Sequence, residues 1–243
     1  MAEIKEKEGF IFNSACQTLV NTVNCDGVMG KGIALEFKLR FPEEMFNQYS
    51  FFCEQKQMAP GKLLLYKKSK PWVLNLPTKF HWSKPSKIEY IEKGLEKFAT
   101  TYKEKGINSI AFPKLGTASG GLDWDIVKQI MYKHLLNLAD LYVEIYSFNP
   151  NLINYDDKLF ENLKNILSKS GSNEFSKYQI NIKKLQLVKE KIDSKEINKM
   201  YDIQKFKGFG DKTIESIYEI AKNINQDSIV AERVNDYKYN TLF

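Results

Sequence analysis

A lysine at position 79 follows an apolar run that ends in proline, in NLPTKFHW (75–82). A lysine amine is a nucleophile only in its neutral form, which burial or a neighbouring cation favours. Two glycine-bearing stretches accompany it, GVMGKG (27–32) and GTASGG (116–121). Between a strand and a helix, such loops let backbone N–H groups approach a phosphate, and the following helix N-terminus adds a favourable dipole. Two of them could hold two linked phosphates. Glycine also serves tight turns with no ligand at all, so each loop alone leaves both readings open. Neither has the GxxxxGK[ST] spacing of a P-loop or the GxGxxG of a dinucleotide fold.

These residues need elements to hold them. TLVNTVN (18–24) has the composition of a buried strand, and KGIALEFKLRF (31–41) reads as a helix stopped by Pro42. PEEMFNQYSFFCEQ (42–55) restarts a helix with proline and acids in its first turn. KLLLYKK and PWVLNLP read as two strands joined by a short turn around Ser69–Pro71. Ile88, Ile91, Leu95 and Phe98 mark an amphipathic helix within 86–105. SIAFP (109–113) is a strand, LDWDIVKQIMYKHLLNLA a helix, and LYVEIYSF (141–148) a final strand. Strand, loop and helix in repetition from residue 9 to 148 predict an α/β domain with a largely parallel or mixed sheet covered on both faces.

Composition sets outer bounds. Of 243 residues, 43% are apolar, enough for a sizeable core, and the net charge of +6 favours polyanionic partners without requiring one. Cys16, Cys25 and Cys53 contain no CxxC pair, and with only His81 and His134 to join them no zinc spacing arises. No metal or redox cofactor is expected, and the cysteine usage fits a reducing cytoplasm. The charged start MAEIKEKEGF is unlike a signal peptide, and no apolar run reaches the roughly 18 residues of a membrane span. No membrane partner is expected.

Past Pro150 the composition shifts to Lys, Asn, Ile and Glu, which predicts a small helical C-terminal domain over 151–243 after a first domain over 1–150, with SKSGSN (168–173) as a linker. IQKFKGFGDKTIESIYEIAKNI (203–224) resembles a helix-hairpin-helix, whose turn donates backbone N–H groups to a DNA phosphate. That resemblance makes Lys207, Gly208, Gly210 and Lys212 candidate DNA contacts, with Lys205 nearby. An ordinary helical hairpin, or a module that docks on a protein partner, stays open beside it.

Three stretches taken together, VNTVNCDGVMGKGIALEFKLRFP, NLPTKFHW and FPKLGTASGGLDW, resemble in order and spacing the macrodomain of DarG-type antitoxins, ADP-ribosyl-DNA glycohydrolases related to the terminal ADP-ribose protein glycohydrolase. The resemblance implies a three-layer α/β/α macrodomain with a mixed central sheet, gripping ADP-ribose at the C-terminal ends of its strands. It implies that Asn24 contacts the distal ribose, that Met29, Gly30, Lys31 and Gly32 line ribose and phosphate, and that Gly116, Thr117, Ala118, Ser119, Gly120, Gly121 and Leu122 wrap the diphosphate. Thr78 lies beside the ligand, and Lys79 becomes the catalytic residue, with Lys31 a candidate cationic neighbour. The partners implied are ADP-ribose, ADP-ribosylated single-stranded DNA and a cognate ADP-ribosyltransferase toxin.

Two departures from related patterns matter. Where many macrodomains carry an acid that reads adenine, this chain has GFIF (9–12), so Phe10 and Ile11 are the expected adenine contacts, by stacking or backbone. The catalytic aspartate of the protein-directed relative aligns with Gly120, and Asp123 is expected to cap a helix instead. Trp82 is a candidate for stacking on a base or for a core or lid role, and His81 for acid–base work or packing. ADP-ribose on protein carboxylates, a non-catalytic ADP-ribose reader and a toxin-binding antitoxin remain the alternatives.

Overall fold

The computed structural model describes residues 1–153, 158–169, 175, 178, 180–222 and 242–243. The chain divides into two compact units, Met1–Leu152 together with Asn235–Phe243, and Ile153–Val234. In the first unit the strands are β1 (Glu3–Gly9), β2 (Thr18–Val23), β3 (Leu64–Tyr66), β4 (Trp72–Pro77), β5 (Ser109–Pro113) and β6 (Tyr142–Phe148). Its helices are α1 (Gly32–Arg40), α2 (Glu43–Glu54), α3 (Ile88–Thr101) and α4 (Trp124–Leu135). The six strands form one sheet in the order β1-β6-β5-β2-β4-β3. All neighbours run parallel except β3, which is antiparallel to β4.

Strand alternation explains why both faces are covered. Val20, Leu74, Leu76, Ile110, Phe112, Val143 and Ile145 point to one side, where Ile91, Leu95 and Phe98 of α3 and Val127, Met131 and Leu135 of α4 meet them. Their sequence neighbours Leu19, Val23, Val73, Ala111 and Tyr146 point the other way, toward Phe37 of α1 and Met45 and Tyr49 of α2. Each fully buried side chain of this size contributes roughly 1.5–3 kcal/mol, so the helices clamp the sheet from both sides as a three-layer α/β/α sandwich.

The structure adds two things to the sequence reading. The charged stretch EIKEKEG forms the edge strand β1, in register with β6 from Glu3↔Tyr142 to Gly9↔Phe148. An edge strand tolerates, and is protected by, such charges. At the opposite edge, Leu242 bridges Leu64, and the Phe243 N–H donates to the Leu63 carbonyl at 2.8 Å. The end of the chain, which composition assigned to the second domain, thus belongs to the first unit.

The second unit is helical: α5 (Lys158–Lys169), α6 (Ile182–Asp193), α7 (Met200–Lys205) and α8 (Asp211–Lys222). Leu163, Val188, Met200, Ile203, Ile217 and Tyr218 are among its fully buried side chains. Ser168 and Lys169 end α5, and residues 170–173 of the expected linker lie outside the described residues. Between α7 and α8 the exposed Gly208 has φ +106, and neither it nor Gly210 has a heavy atom within 4 Å of the position a Cβ would take.

Candidate active site

β4, β2 and β5 lie side by side and parallel, so the segments that leave their C-terminal ends emerge together. They are the lysine loop from β4, the first glycine loop from β2 and the second glycine loop from β5. Residues separated by a large part of the chain therefore share one rim of the sheet, where open α/β sheets bind ligands.

The first glycine loop and the lysine loop are zipped together. Thr78 N donates to the Val23 carbonyl at 2.9 Å, and Cys25 N donates to the Phe80 carbonyl at 3.1 Å. Asp26 completes the join: one carboxylate oxygen accepts from the Trp82 N–H at 2.7 Å, and the other lies 3.1 Å from His81 Nδ1. Sequence reasoning missed Asp26. An aspartate before glycine signals a turn and nothing more.

Asn24 organises the loop from within. Its Nδ2 donates to the Val28 carbonyl at 2.6 Å, and its Oδ1 accepts from Asp26 N, Val28 N and the Tyr49 hydroxyl. Tyr49 also donates to the Asn24 carbonyl at 2.8 Å. Burial pushes the Tyr49 hydroxyl well above its ordinary pKa and the Cys25 thiol up to about 12. Cys25, although its thiol lies 3.5 Å from the Lys79 carbonyl, therefore stays protonated at neutral pH and is no rival nucleophile.

The second glycine loop is a tight coil. Leu122 N donates to the Gly116 carbonyl at 3.1 Å, Gly121 N to the Ala118 carbonyl at 3.3 Å, and Ser86 N to the Gly120 carbonyl at 3.0 Å. A Cβ at Gly120 would lie 2.2 Å from the Gly116 carbonyl oxygen and 2.3 Å from Ser86 Oγ, so no side chain, and no carboxylate, fits there. Asp123 accepts from Ile126 N at 3.1 Å and caps α4. No side chain caps α1, whose first turn begins at Gly32 with φ +58. Its N–H groups are the less encumbered anion donors.

Lys79 joins the two halves. Its Nζ donates to the Ser119 carbonyl at 2.7 Å and reaches the Trp82 carbonyl at 3.5 Å. A Cβ on Gly32 would stand 4.0 Å from Ser119 Oγ, which fixes how closely the two glycine loops face each other. Lys79, half-buried as a residue, thus ties the lysine loop to Ser119, the residue that Gly32 of the first glycine loop faces. Gly30, Lys31, Gly32, Ala118, Ser119 and Gly121 are exposed around it, and Thr117 and Leu122 are half-buried.

Several expected ligand contacts lie elsewhere. Phe10 and Ile11 are each only 4% exposed. The Phe10 ring packs on Phe12 with the Arg40 guanidinium 4.9 Å from its centroid, so it presents no open face for stacking. The exposed ring nearby is Phe148 at the end of β6, 5.9 Å from Phe10. Met29 is buried in the core on the α1 and α2 side, with Asn21 Nδ2 3.7 Å from its sulfur, and supports the loop from beneath. Lys207, Gly208, Gly210 and Lys212 are exposed around the α7–α8 turn of the second unit.

Among the described residues no group of three or more His, Cys, Asp or Glu could hold a metal, and no helix is long and apolar enough to cross a membrane. The chemistry on offer is a primary amine between two glycine-bearing loops.

Comparison with known proteins agrees with this geometry. The Macro domain family model matches residues 20–131. A curated relative from Mycobacterium tuberculosis, named DNA ADP-ribosyl glycohydrolase, is 42% identical over 142 residues, covering 57% of this chain and 40% of the relative. The solved macrodomain of Mycobacterium tuberculosis DarG is 39% identical with a TM-score of 0.58, covering 61% of this chain and 100% of that one. Thermosipho africanus DarTG, solved in complex with ADP-ribose, is 34% identical with a TM-score of 0.55, covering 60% of this chain and 43% of that one. The matched portion spans 40% of the length of the curated relatives.

Proposed function

This chain belongs to the macrodomain family, and we propose that it is a glycohydrolase that removes ADP-ribose from ADP-ribosylated DNA bases, as an antitoxin to a DNA-modifying ADP-ribosyltransferase. The observation that carries the reading is the position of Lys79, whose amine bridges the lysine loop and the second glycine loop at 2.7 Å from the Ser119 carbonyl. The diphosphate of ADP-ribose takes the N–H groups of Gly30–Gly32, Ser119 and Gly120, with the α1 N-terminus adding its dipole. The distal ribose then lies with its anomeric carbon beside Lys79. Lys79 Nζ forms a bond to that carbon as the glycosidic bond breaks, and the departing base takes up the proton that the nitrogen sheds. Water then cleaves the adduct, releasing ADP-ribose and regenerating the amine.

The DNA-directed reading is favoured over a protein-directed one by Gly120. A carboxylate there has no room in the loop as folded, so a mechanism that needs an aspartate at that position is unsupported. Trp82 beside the amine, and the Lys207–Lys212 turn with Gly208 and Gly210 in the second unit, are the proposed DNA contacts. On this reading the protein acts in the cytoplasm on single-stranded DNA, with the toxin as its partner.

The test incubates the protein with single-stranded DNA carrying an ADP-ribosylated base and, in parallel, with ADP-ribosylated protein, and measures free ADP-ribose. Release from DNA is expected, and Lys79→Ala should lower it by at least about a thousandfold while ADP-ribose affinity changes little. Wild-type turnover in Lys79→Ala sinks the assignment. Release from protein alone indicates a protein glycohydrolase, and tight ADP-ribose binding with no release a reader.

A further inference from the structure

The segment after the catalytic lysine, Lys79 to Lys87, reads KFHWSKPSK: two large aromatics, three lysines and no acid. Phe80 is 46% and Trp82 58% exposed. Isolated exposed apolar side chains are ordinary, but these two sit two residues apart on backbone that is firmly held. The Phe80 carbonyl accepts from Cys25 N at 3.1 Å, and the Trp82 N–H donates to Asp26 at 2.7 Å. Lys84 N closes the turn on the His81 carbonyl at 3.1 Å, and the Phe80 ring meets the His81 ring edge-on at 4.9 Å. The loop is pinned from beneath while its rings face solvent. Backbone that is already ordered costs no further entropy when a flat partner covers the rings it carries.

The charges select that partner. Among the described residues the Lys84 ammonium has no ion-pair partner, and Lys87 has only the exposed Glu89 at 3.9 Å, a contact worth little in solvent. Asp26, the acid closest in the fold, has both oxygens committed to His81 and Trp82. Aromatic faces interleaved with Lys84 and with Lys87, which is only weakly paired to Glu89 and lies 5.5 Å from the Tyr90 ring centroid, suit an unstacked polyanion whose bases are free to stack. Duplex DNA keeps its bases stacked and offers these rings no flat face.

We propose that Phe80 and Trp82, with Lys84 and Lys87, form a platform that binds the single strand flanking the modified nucleotide, the rings stacking on neighbouring bases and the lysines meeting the adjoining phosphates. The proposal rests on the DNA-glycohydrolase reading for the location of the modified base. It adds a specificity element to that reading: the enzyme favours an ADP-ribosylated base within a strand over the same base in a free nucleoside.

The experiment uses the full chain. Binding of an unmodified single-stranded oligonucleotide is followed by tryptophan quenching and by anisotropy, and KM is measured for an ADP-ribosylated oligonucleotide and for an ADP-ribosylated nucleoside. The Phe80→Ala/Trp82→Ala variant should lose at least about fivefold in oligonucleotide affinity for each ring removed. Its KM for the oligonucleotide should rise toward that for the nucleoside, and Trp82→Phe should restore much of the loss. Lys84→Ala and Lys87→Ala should each make the salt dependence of binding shallower.

Unchanged strand affinity and an unchanged KM ratio in the double variant, with thermal stability intact, overturn the proposal. So does a variant that loses its preference for an ADP-ribosylated peptide instead, which would make polypeptide the occupant. If no ADP-ribose is released from any DNA but strand binding still depends on the two rings, the platform stands and the glycohydrolase reading falls.

Discussion

Replacing Gly120 by alanine tests the second glycine loop most directly. The new methyl carbon would lie 2.2 Å from the Gly116 carbonyl oxygen, which must retreat by about 0.8 Å merely to reach 3.0 Å. That carbonyl accepts from Leu122 N at 3.1 Å, so the retreat weakens a bond worth about 1 kcal/mol net and adds roughly 1–3 kcal/mol of overpacking strain. On the other side the methyl would lie 2.3 Å from Ser86 Oγ, which is buried and has no hydrogen-bond partner among the described residues. Ser119, one residue before, holds Lys79 Nζ through its carbonyl at 2.7 Å. A displacement of about 1 Å there moves the amine off the anomeric carbon and lowers the rate by about a hundredfold. The assay is ADP-ribose release from modified single-stranded DNA, alongside ADP-ribose affinity by calorimetry and the urea midpoint. Gly106→Ala is the control. Its φ is +72 with nothing within 4 Å, so it carries only the left-handed strain of about 1 kcal/mol and should leave the rate alone. A Gly120→Ala protein with wild-type rate and affinity would refute the claim that this close-packed loop positions the lysine.

Asp26→Ala, which removes the acceptor for Trp82 N–H and the partner of His81, should lower kcat on an ADP-ribosylated nucleoside about ten- to a hundredfold with a small change in KM for that substrate, and Asp26→Asn should fall between; an unchanged kcat in steady-state assays would exclude a positioning role. Glu144 gives a pH test of stability. Burial pushes its carboxyl up, but hydrogen bonds from Lys7 (2.5 Å), Ser14 (2.6 Å) and Tyr142 (3.0 Å) outweigh burial and hold it below its ordinary value. A depressed carboxylate stabilises the fold above its unfolded pKa of about 4.3, and the contribution fades as pH falls through the lower folded value. Urea midpoints should therefore drop below about pH 4 in the wild type, and Glu144→Gln should be weaker at pH 7 with a flatter acid limb; parallel curves would exclude this group as a source of acid sensitivity.

Much of the frame was legible in the chain because its cause is local. The pairs Leu19–Val20, Val73–Leu74 and Ile110–Ala111 are each apolar at both positions, as a strand buried on both faces requires, and successive residues feed the two cores. Pro42 and Asp123 mark helix starts by their own backbone chemistry, and Asp123 caps α4 as read. β1 escaped notice because an edge strand needs no apolar run. The burial of Phe10 and Met29 escaped it too, since an apolar side chain beside a site can face the ligand or the core and only packing chooses.

The sequence by itself determined the alternation of strand and helix, the three motifs and the lysine among them, because periodicity and turn chemistry act over a few residues. Only the tertiary structure decided that those motifs meet. The parallel register Val23↔Pro77 brings Asp26 to Trp82 across 56 positions of sequence, and the neighbouring β5 brings Ser119 to Lys79 across 40. Such pairings are set by which strand lies beside which, a choice made by burying both faces of the sheet at once, and no local pattern encodes it.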